Sequence, residues 1–164
     1  MRRWFEHRRR RRYRNKVLTG VRNNVGLNEH QINSAITVWE VIGGNTVCEL
    51  DVRDASEHGT FTRYNERRRC VLLGADAFPW NASDPRSHMS VTACLAHELA
   101  HAQRHRLEFD RPVELPDKQV DEAETSLHAS FNSVLYRGDR CDLVRDAVSC
   151  LEAWIGECCV EGNL

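Results

Sequence analysis

Long apolar segments are missing from this chain of 164 residues. No stretch approaches the roughly 18 consecutive apolar residues that a membrane-spanning helix requires, so no span is predicted. The arginines at the N-terminus are not followed by an apolar run of about seven residues, which the centre of a secretory signal needs. We therefore expect a cytoplasmic protein without a membrane span.

Regularly spaced cysteine pairs are also missing. The chain has seven cysteines, which is an odd number at irregular spacing, and it contains no Cys-x-x-Cys pair. A disulfide-bonded secreted scaffold usually has an even number of cysteines at recognisable spacing. The sequence therefore predicts reduced thiols, and it does not favour a second metal site built from cysteines.

Lysine is rare, and the basic residues are unevenly placed. Of the 23 basic side chains, 21 are arginine, and residues 1–16 carry nine basic residues against one acid. The other 148 residues carry 14 basic residues against 23 acids. We interpret Arg2–Lys16 as a basic head that precedes a single domain, residues 17–164. The head either contacts nucleic acid or an acidic partner, or lies over the acidic body as a solvated segment.

Apolar periodicity and turn residues predict an α+β fold. Asn28 is the expected cap of one helix, and Gly43 with Gly44 is expected to end it. The architecture that follows is a small, mostly antiparallel sheet packed with a long central helix and C-terminal helices. Helices are predicted within 8–22, 26–44, 87–107, 118–136 and 140–158, and strands within 45–53, 59–64 and 69–73.

The clearest chemical pattern is ACLAHELAHAQRHR, residues 93–106. His97 and His101 are four residues apart, which on a helix separates them by about 40° around the axis and about 6 Å along it. Both imidazoles can therefore bind one metal ion. Glu98 can then reach a water in the open coordination position, as in the metallopeptidase pattern His-Glu-x-x-His. Apolar neighbours such as Leu99 and Ala100 indicate that this helix is buried.

The third metal ligand is expected from outside this helix. His105 lies about 12 Å along the axis from His97, and no glycine or proline interrupts the helix between them. We therefore exclude His105 as a ligand and expect it to support the site or to contact substrate. The acidic helical segment 119–130 supplies three candidates, Glu122, Glu124 and Asp121.

With these residues identified, the sequence resembles the gluzincins, zincin metallopeptidases that pair His-Glu-x-x-His with a glutamate on a following helix. In the thermolysin branch that helix has a pattern like Asn-Glu-Ala-x-Ser-Asp, and residues 121–126 read Asp-Glu-Ala-Glu-Thr-Ser. The match implies Glu122 as the ligand, with Glu124 and Asp121 left open as alternatives. It also implies that Thr125 or Ser126 hydrogen-bonds a ligand histidine, although Ser126 stands where that branch has an acid.

The segment is also similar to small bacterial effector and toxin metallopeptidases and to repressor-cleaving metallopeptidases. The likeness covers residues 91–131, about a quarter of the chain. It implies a zinc-dependent peptidase, more readily an endopeptidase than an exopeptidase, with one Zn²⁺ bound by His97, His101 and Glu122. Glu98 would be the general base.

Two further expectations concern substrate and transition state. The resemblance implies that a peptide lies along an edge strand, either 69–73 or its hairpin partner 59–64. A donor to the developing oxyanion is expected, and the candidates are His105, His128, Tyr136 and Arg137. The alternative function is a binding module for nucleic acid or an acidic partner, with a structural or latent zinc.

Overall fold

The computed structural model describes residues 22–79, 88–109, 111–112 and 114–161. The basic head and all but the last residue of the predicted helix 8–22 lie outside these ranges. The described residues form an α+β fold of helices and one small sheet, which confirms the predicted class. The elements are α1 (Glu29–Val41), β1 (Glu49–Asp51), β2 (Arg63–Asn65), β3 (Cys70–Leu72), α2 (Val91–Arg106), α3 (Asp117–Ser130) and α4 (Arg137–Glu161).

Helix α1 begins and ends where its sequence predicts. The Asn28 side chain accepts a hydrogen bond from the Gln31 N–H at 2.9 Å, and the Gln31 side chain accepts from the Asn28 N–H at 3.0 Å. This reciprocal pair satisfies two of the N–H groups that a helix leaves open at its start. Gly43 follows the helix with φ at 84°, a conformation that glycine adopts without strain. Trp39, on the inner face of α1, is buried in the core.

The sheet is mixed rather than mostly antiparallel. Strands β2 and β3 form the predicted hairpin, with Tyr64 opposite Val71, but β1 pairs with β3 in parallel. The strand order is β1–β3–β2, so the segment 69–73 contains the central strand and only 59–64 leads into an edge strand. Strand β1 is also shorter than predicted, because a 3-10 turn occupies Gly44–Thr46.

The turn between α3 and α4 lies at a different place in the sequence from the one predicted. Helix α3 ends at Ser130 instead of continuing to 136, and Gly138 lies in the first turn of α4 instead of closing α3. The Asn132 side chain donates to the Ile42 carbonyl at 3.1 Å. Arg140 donates to the carbonyls of Asn132, at 3.0 Å, and Leu135. These tertiary hydrogen bonds hold a turn that the local apolar pattern does not encode.

Helix α2 is the central element of the core. It begins after Ser90, whose hydroxyl accepts from the Ala93 N–H at 3.0 Å, and it ends at Arg106 instead of 107. Ten of its 16 residues are buried, including Leu95 and Leu99. Polar side chains on so buried a helix need partners, and the partners of its histidines define the site described below.

Two findings concern the expectations for a membrane span and for the cysteines. Within the described ranges, no helix combines the length and the apolar character needed to cross a bilayer. Cys48, Cys70, Cys94 and Cys141 are free thiols, as the irregular cysteine spacing predicts.

At Gly74 the chain passes close to the backbone of Phe61 and Thr62, which lead into β2. A Cβ at this position would lie 2.4 Å from the Phe61 carbonyl carbon and 2.6 Å from the Thr62 nitrogen. Because backbone atoms cannot move aside as a side chain can, Gly74→Ala is expected to lower the free energy of unfolding by about 1–3 kcal/mol. Urea denaturation measures this, with Gly138→Ala as the control because open space surrounds Gly138. Equal stability of the two variants would contradict the prediction.

Candidate metal centre

The three predicted ligands lie together in the folded chain. One ligand atom from each of His97, His101 and Glu122 lies within 4.8 Å of the other two, and all three residues are buried. Oε2 of Glu122 is 3.1 Å from His97 Nε2 and 3.5 Å from His101 Nε2. Two ligand atoms at about 2.0–2.1 Å from a tetrahedral zinc ion are themselves about 3.3 Å apart. The spacing of this group therefore fits one metal ion.

A hydrogen-bonded chain determines which nitrogen of His97 faces the group. Ser126 donates its hydroxyl proton to Asp146 Oδ2 at 2.6 Å. Since that hydroxyl has one proton, its oxygen must accept the proton of His97 Nδ1, which is 2.7 Å away. Nδ1 is thereby protonated, and the Nε2 lone pair is the one left for a metal.

His101 is oriented in the same sense by a different partner. Its Nδ1 lies 3.3 Å from Thr125 Oγ1. The Thr125 hydroxyl donates to the Asp121 carbonyl at 2.8 Å and accepts from the buried Arg104 guanidinium. Its remaining lone pair therefore accepts from His101 Nδ1. Thr125 and Ser126, the two hydroxyl residues that the sequence offered as alternatives, each hold one ligand histidine.

Glu98 is joined to the edge of the sheet. The Tyr64 N–H donates to Glu98 Oε2 at 2.7 Å, so this N–H lies on the open edge of β2, away from β3. The Tyr64 hydroxyl is 2.9 Å from His105 Nδ1. His105 therefore links β2 to α2. It lies outside the group of His97, His101 and Glu122, called the metal group below, which agrees with its exclusion as a ligand.

Burial and charge set the proton affinities of the group. Burial raises the pKa of Glu98 to about 7, against the lowering effect of His97. Burial also lowers the pKa of His101 to about 3. For His97, burial lowers the pKa, but the hydrogen bond to Glu122 and the charge of Glu98 outweigh it and raise the pKa overall. The raised pKa of His97 means that protons compete with a metal ion for its Nε2.

Arg111 enters the site from the connector between α2 and α3, and the sequence did not single it out. Its Nη2 donates to Glu122 Oε1 at 2.7 Å and to His101 Nε2 at 3.2 Å, and its Nε is 3.3 Å from Asp121 Oδ2. Donation to His101 Nε2 agrees with an unprotonated nitrogen there. A metal ion would take the place of Arg111 on His101, while the bond to Glu122 Oε1 can remain.

Four other residues with predicted roles lie away from the group. Glu124 is 61% exposed and pairs with Arg104 at 2.8 Å. It points away from the ligand site because residues two apart on a helix differ by about 200° around the axis. His128 Nε2 contacts the Gln103 side chain at 3.2 Å on the exposed surface, Tyr136 is 84% exposed, and Arg137 is exposed as well. None of His128, Tyr136 and Arg137 is among the side chains that line the cleft around His97, His101 and Glu122.

The metal group opens onto a cleft. Its walls come from the segment leading into β2, from β2 itself, and from α2, α3 and the connector between them. The side chains that line it around the metal group include Phe61, Arg63, Tyr64, Glu98, Arg111 and Lys118. Glu98 therefore shares one cavity with the candidate ligands.

Comparisons of this chain with protein-family models, with curated proteins and with solved structures found no match. The resemblance to the gluzincins therefore stays a prediction. The structure itself shows a buried group of two histidines and one glutamate that could hold a metal ion. The function has to be argued from the geometry of this group.

Proposed function

We propose that the protein is a zinc-dependent peptidase. The observation that carries the proposal is the convergence of His97, His101 and Glu122 beside a fourth residue, Glu98, in one cleft. Two imidazoles and one carboxylate are the donor set of catalytic zinc sites that keep the fourth coordination position open. Thr125 and Ser126 add the outer hydrogen bonds that ligand histidines usually have.

A bound metal ion and two nearby residues would have separate roles in the proposed reaction. A bound Zn²⁺ would supply Lewis acidity toward the scissile carbonyl and would lower the pKa of a water. Glu98 would accept a proton from the attacking water and return it to the leaving amine. The Tyr64 N–H, at 2.7 Å from Glu98 Oε2, orients this carboxylate.

Strand β2 supports a peptide as the substrate. It is an edge strand, and an extended peptide can add to such an edge through backbone hydrogen bonds. The Tyr64 N–H that meets Glu98 lies on this edge, so a peptide paired with β2 would lie beside the general base. Endopeptidase activity stays our prediction for the cleavage mode.

We assign the stabilisation of the developing oxyanion to Arg111. Its guanidinium lies beside Glu122 in the cleft, and donors aimed at developing negative charge are worth about 10²–10³ in kcat. Arg111→Leu is therefore expected to lower kcat by about that factor at saturating zinc. Steady-state kinetics measure this effect, with the zinc content determined in the same samples. Arg145→Leu, on the exposed face of α4, is the control, and a normal kcat for Arg111→Leu would contradict the assignment.

The proposal is tested on the purified full-length chain. Elemental analysis should find one zinc per chain, and a proteome-derived peptide library should be cleaved by the zinc-loaded protein. A chelator should abolish cleavage, and added Zn²⁺ should restore it. A protein that binds no zinc, or that is loaded with zinc and cleaves no peptide, would refute the proposal.

The alternative, a binding module for nucleic acid or an acidic partner, depends on Arg2–Lys16. These residues lie outside the described ranges, and no contact of the described residues favours that function over a peptidase.

A further inference from the structure

Helix α4 reaches the metal group through one buried carboxylate. Asp146 is 2% exposed and Ser126 is fully buried. Asp146 Oδ2 accepts the Ser126 hydroxyl proton at 2.6 Å, and Ser126 Oγ accepts from His97 Nδ1 at 2.7 Å. Three helices are joined by this chain, α4 through Asp146, α3 through Ser126 and α2 through His97.

We propose that Asp146 is a positioning residue for His97 and acts on it through Ser126; this inference rests on the proposed function. The carboxylate charge polarises the Ser126 hydroxyl, and hydrogen bonds in such a chain strengthen one another inside a protein. The hydroxyl oxygen then holds the His97 Nδ1 proton more firmly. His97 Nε2 becomes a better electron donor to a metal, as it does when a carboxylate contacts a ligand histidine directly.

The Nδ1 atoms of the two candidate ligand histidines have different hydrogen-bond partners. The Nδ1 partner of His101 is Thr125, at 3.3 Å, and Thr125 also accepts from the cation of Arg104. His97 is therefore supported by an anion, and His101 by a hydroxyl that a cation polarises in the opposite sense. Loss of the Asp146 charge should weaken the bond of His97 to a metal and leave the orientation of His101 unchanged.

Packing alone does not explain a carboxylate at this position. Ala147 and Cys150 lie beside it on the buried face of α4, where apolar side chains are accommodated. A buried carboxylate carries a large desolvation cost unless it is hydrogen-bonded. The Ser126 hydroxyl, which links it to His97, is one such bond.

A double-mutant cycle on the full-length chain tests the inference. Zinc affinity is measured by competition with a chromophoric chelator for the wild type, Asp146→Asn, Ser126→Ala and the double variant. Asparagine keeps the size and an acceptor oxygen but removes the charge. Each single change should weaken zinc binding about 10-fold or more. The double variant should be no weaker than Ser126→Ala, because the effect of Asp146 passes through Ser126.

The control cycle uses the other histidine. In a Thr125→Val background, Asp146→Asn should cause its full loss of affinity, because Thr125 belongs to the His101 branch. Unchanged affinity in Asp146→Asn would overturn the inference. So would a further loss in the Ser126→Ala background as large as in the wild type, because a purely structural contribution of Asp146 would persist there.

A second readout needs no metal. Nitrogen NMR of the imidazoles in the metal-free protein, recorded at a pH where the ring of His97 is neutral, reports which ring nitrogen carries the proton. The Nδ1 proton of His97 should be observed in the wild type and should be less populated in Asp146→Asn and Ser126→Ala, with His101 unchanged. An identical His97 spectrum in Asp146→Asn would overturn the inference.

The two proposals fail in different ways. A wild-type protein without zinc affinity refutes the proposed function, and the NMR comparison still tests whether Asp146 orients His97. A wild-type protein that binds zinc as tightly as its folded Asp146→Asn variant refutes the role of Asp146 alone.

Discussion

Replacing Glu98 with glutamine is expected to abolish peptide hydrolysis while the zinc stays bound. Glutamine has the size of glutamate, and its amide oxygen can still accept the Tyr64 N–H that now meets Glu98 Oε2. It cannot take a proton from water, however, and loss of a general base costs about 10²–10⁴-fold in rate. The turnover of a peptide that the wild type cleaves is measured beside the zinc content of both proteins.

The matched control for this variant is Glu40→Gln, the same chemical change on the exposed face of α1. It should cleave at the wild-type rate. A Glu98→Gln protein with wild-type turnover would exclude Glu98 as the base. A variant that loses zinc together with activity would show that Glu98 holds the metal site together, and would contradict the division of roles proposed above.

Removing the Glu122 side chain is expected to have the largest effect on metal binding. Glu122→Ala leaves only the two imidazoles as protein ligands. Loss of an outer hydrogen-bond partner alone costs about 10–100-fold in metal affinity, so loss of a ligand should cost about 100-fold or more. Chelator competition measures the affinity, and cleavage at limiting zinc should fall with it.

Glu124→Ala is the discriminating control because it makes the same change two residues along the same helix. Its carboxylate is 61% exposed and pairs with Arg104, and Arg104 keeps Asp121 and Thr125 as partners when Glu124 is removed. Zinc affinity should therefore be retained in Glu124→Ala. The reverse result, tight zinc binding in Glu122→Ala and weak binding in Glu124→Ala, would move the third ligand to Glu124.

The two candidate ligands on α2 could be predicted because short-range geometry places them together. A separation of four residues on a helix places His97 and His101 on one face, whatever the rest of the chain does. The choice between Glu122 and Glu124 was harder, because both lie on the predicted helix α3. In the structure Glu122 lies with the two histidines, whereas Glu124 is 61% exposed and pairs with Arg104.

The residues that support the site could not be found in the same way. Arg111 lies in a connector without a recognisable motif, and Tyr64 contributes a backbone N–H that any residue type would offer. Asp146 lies 20 residues beyond Ser126 on another helix. One hint was present, because Ser126 stands where the resembled pattern has an acid. The structure supplies that acid from α4, one hydrogen bond further away.

The pairing of the strands could also be predicted only in part. Alternating residues indicated the hairpin of β2 and β3, since a tight turn makes consecutive strands neighbours. They did not indicate that β1 pairs with β3 in parallel. Alternation records which side chains face the core, and it carries no information on the neighbouring strand or on its direction.

The sequence by itself therefore determined the α+β class, the buried histidine helix and the residue types of a candidate metal-binding group, because these follow from residue patterns within single elements. Tertiary structure alone decided which edge of the sheet meets Glu98, where Arg111 lies and how Asp146 reaches His97. The residues in these contacts are separated in the sequence by 11 residues (Arg111 and Glu122), 34 residues (Tyr64 and Glu98) or comparable distances. Only the packing of α2 against β2, α3 and α4 brings their side chains within hydrogen-bond distance.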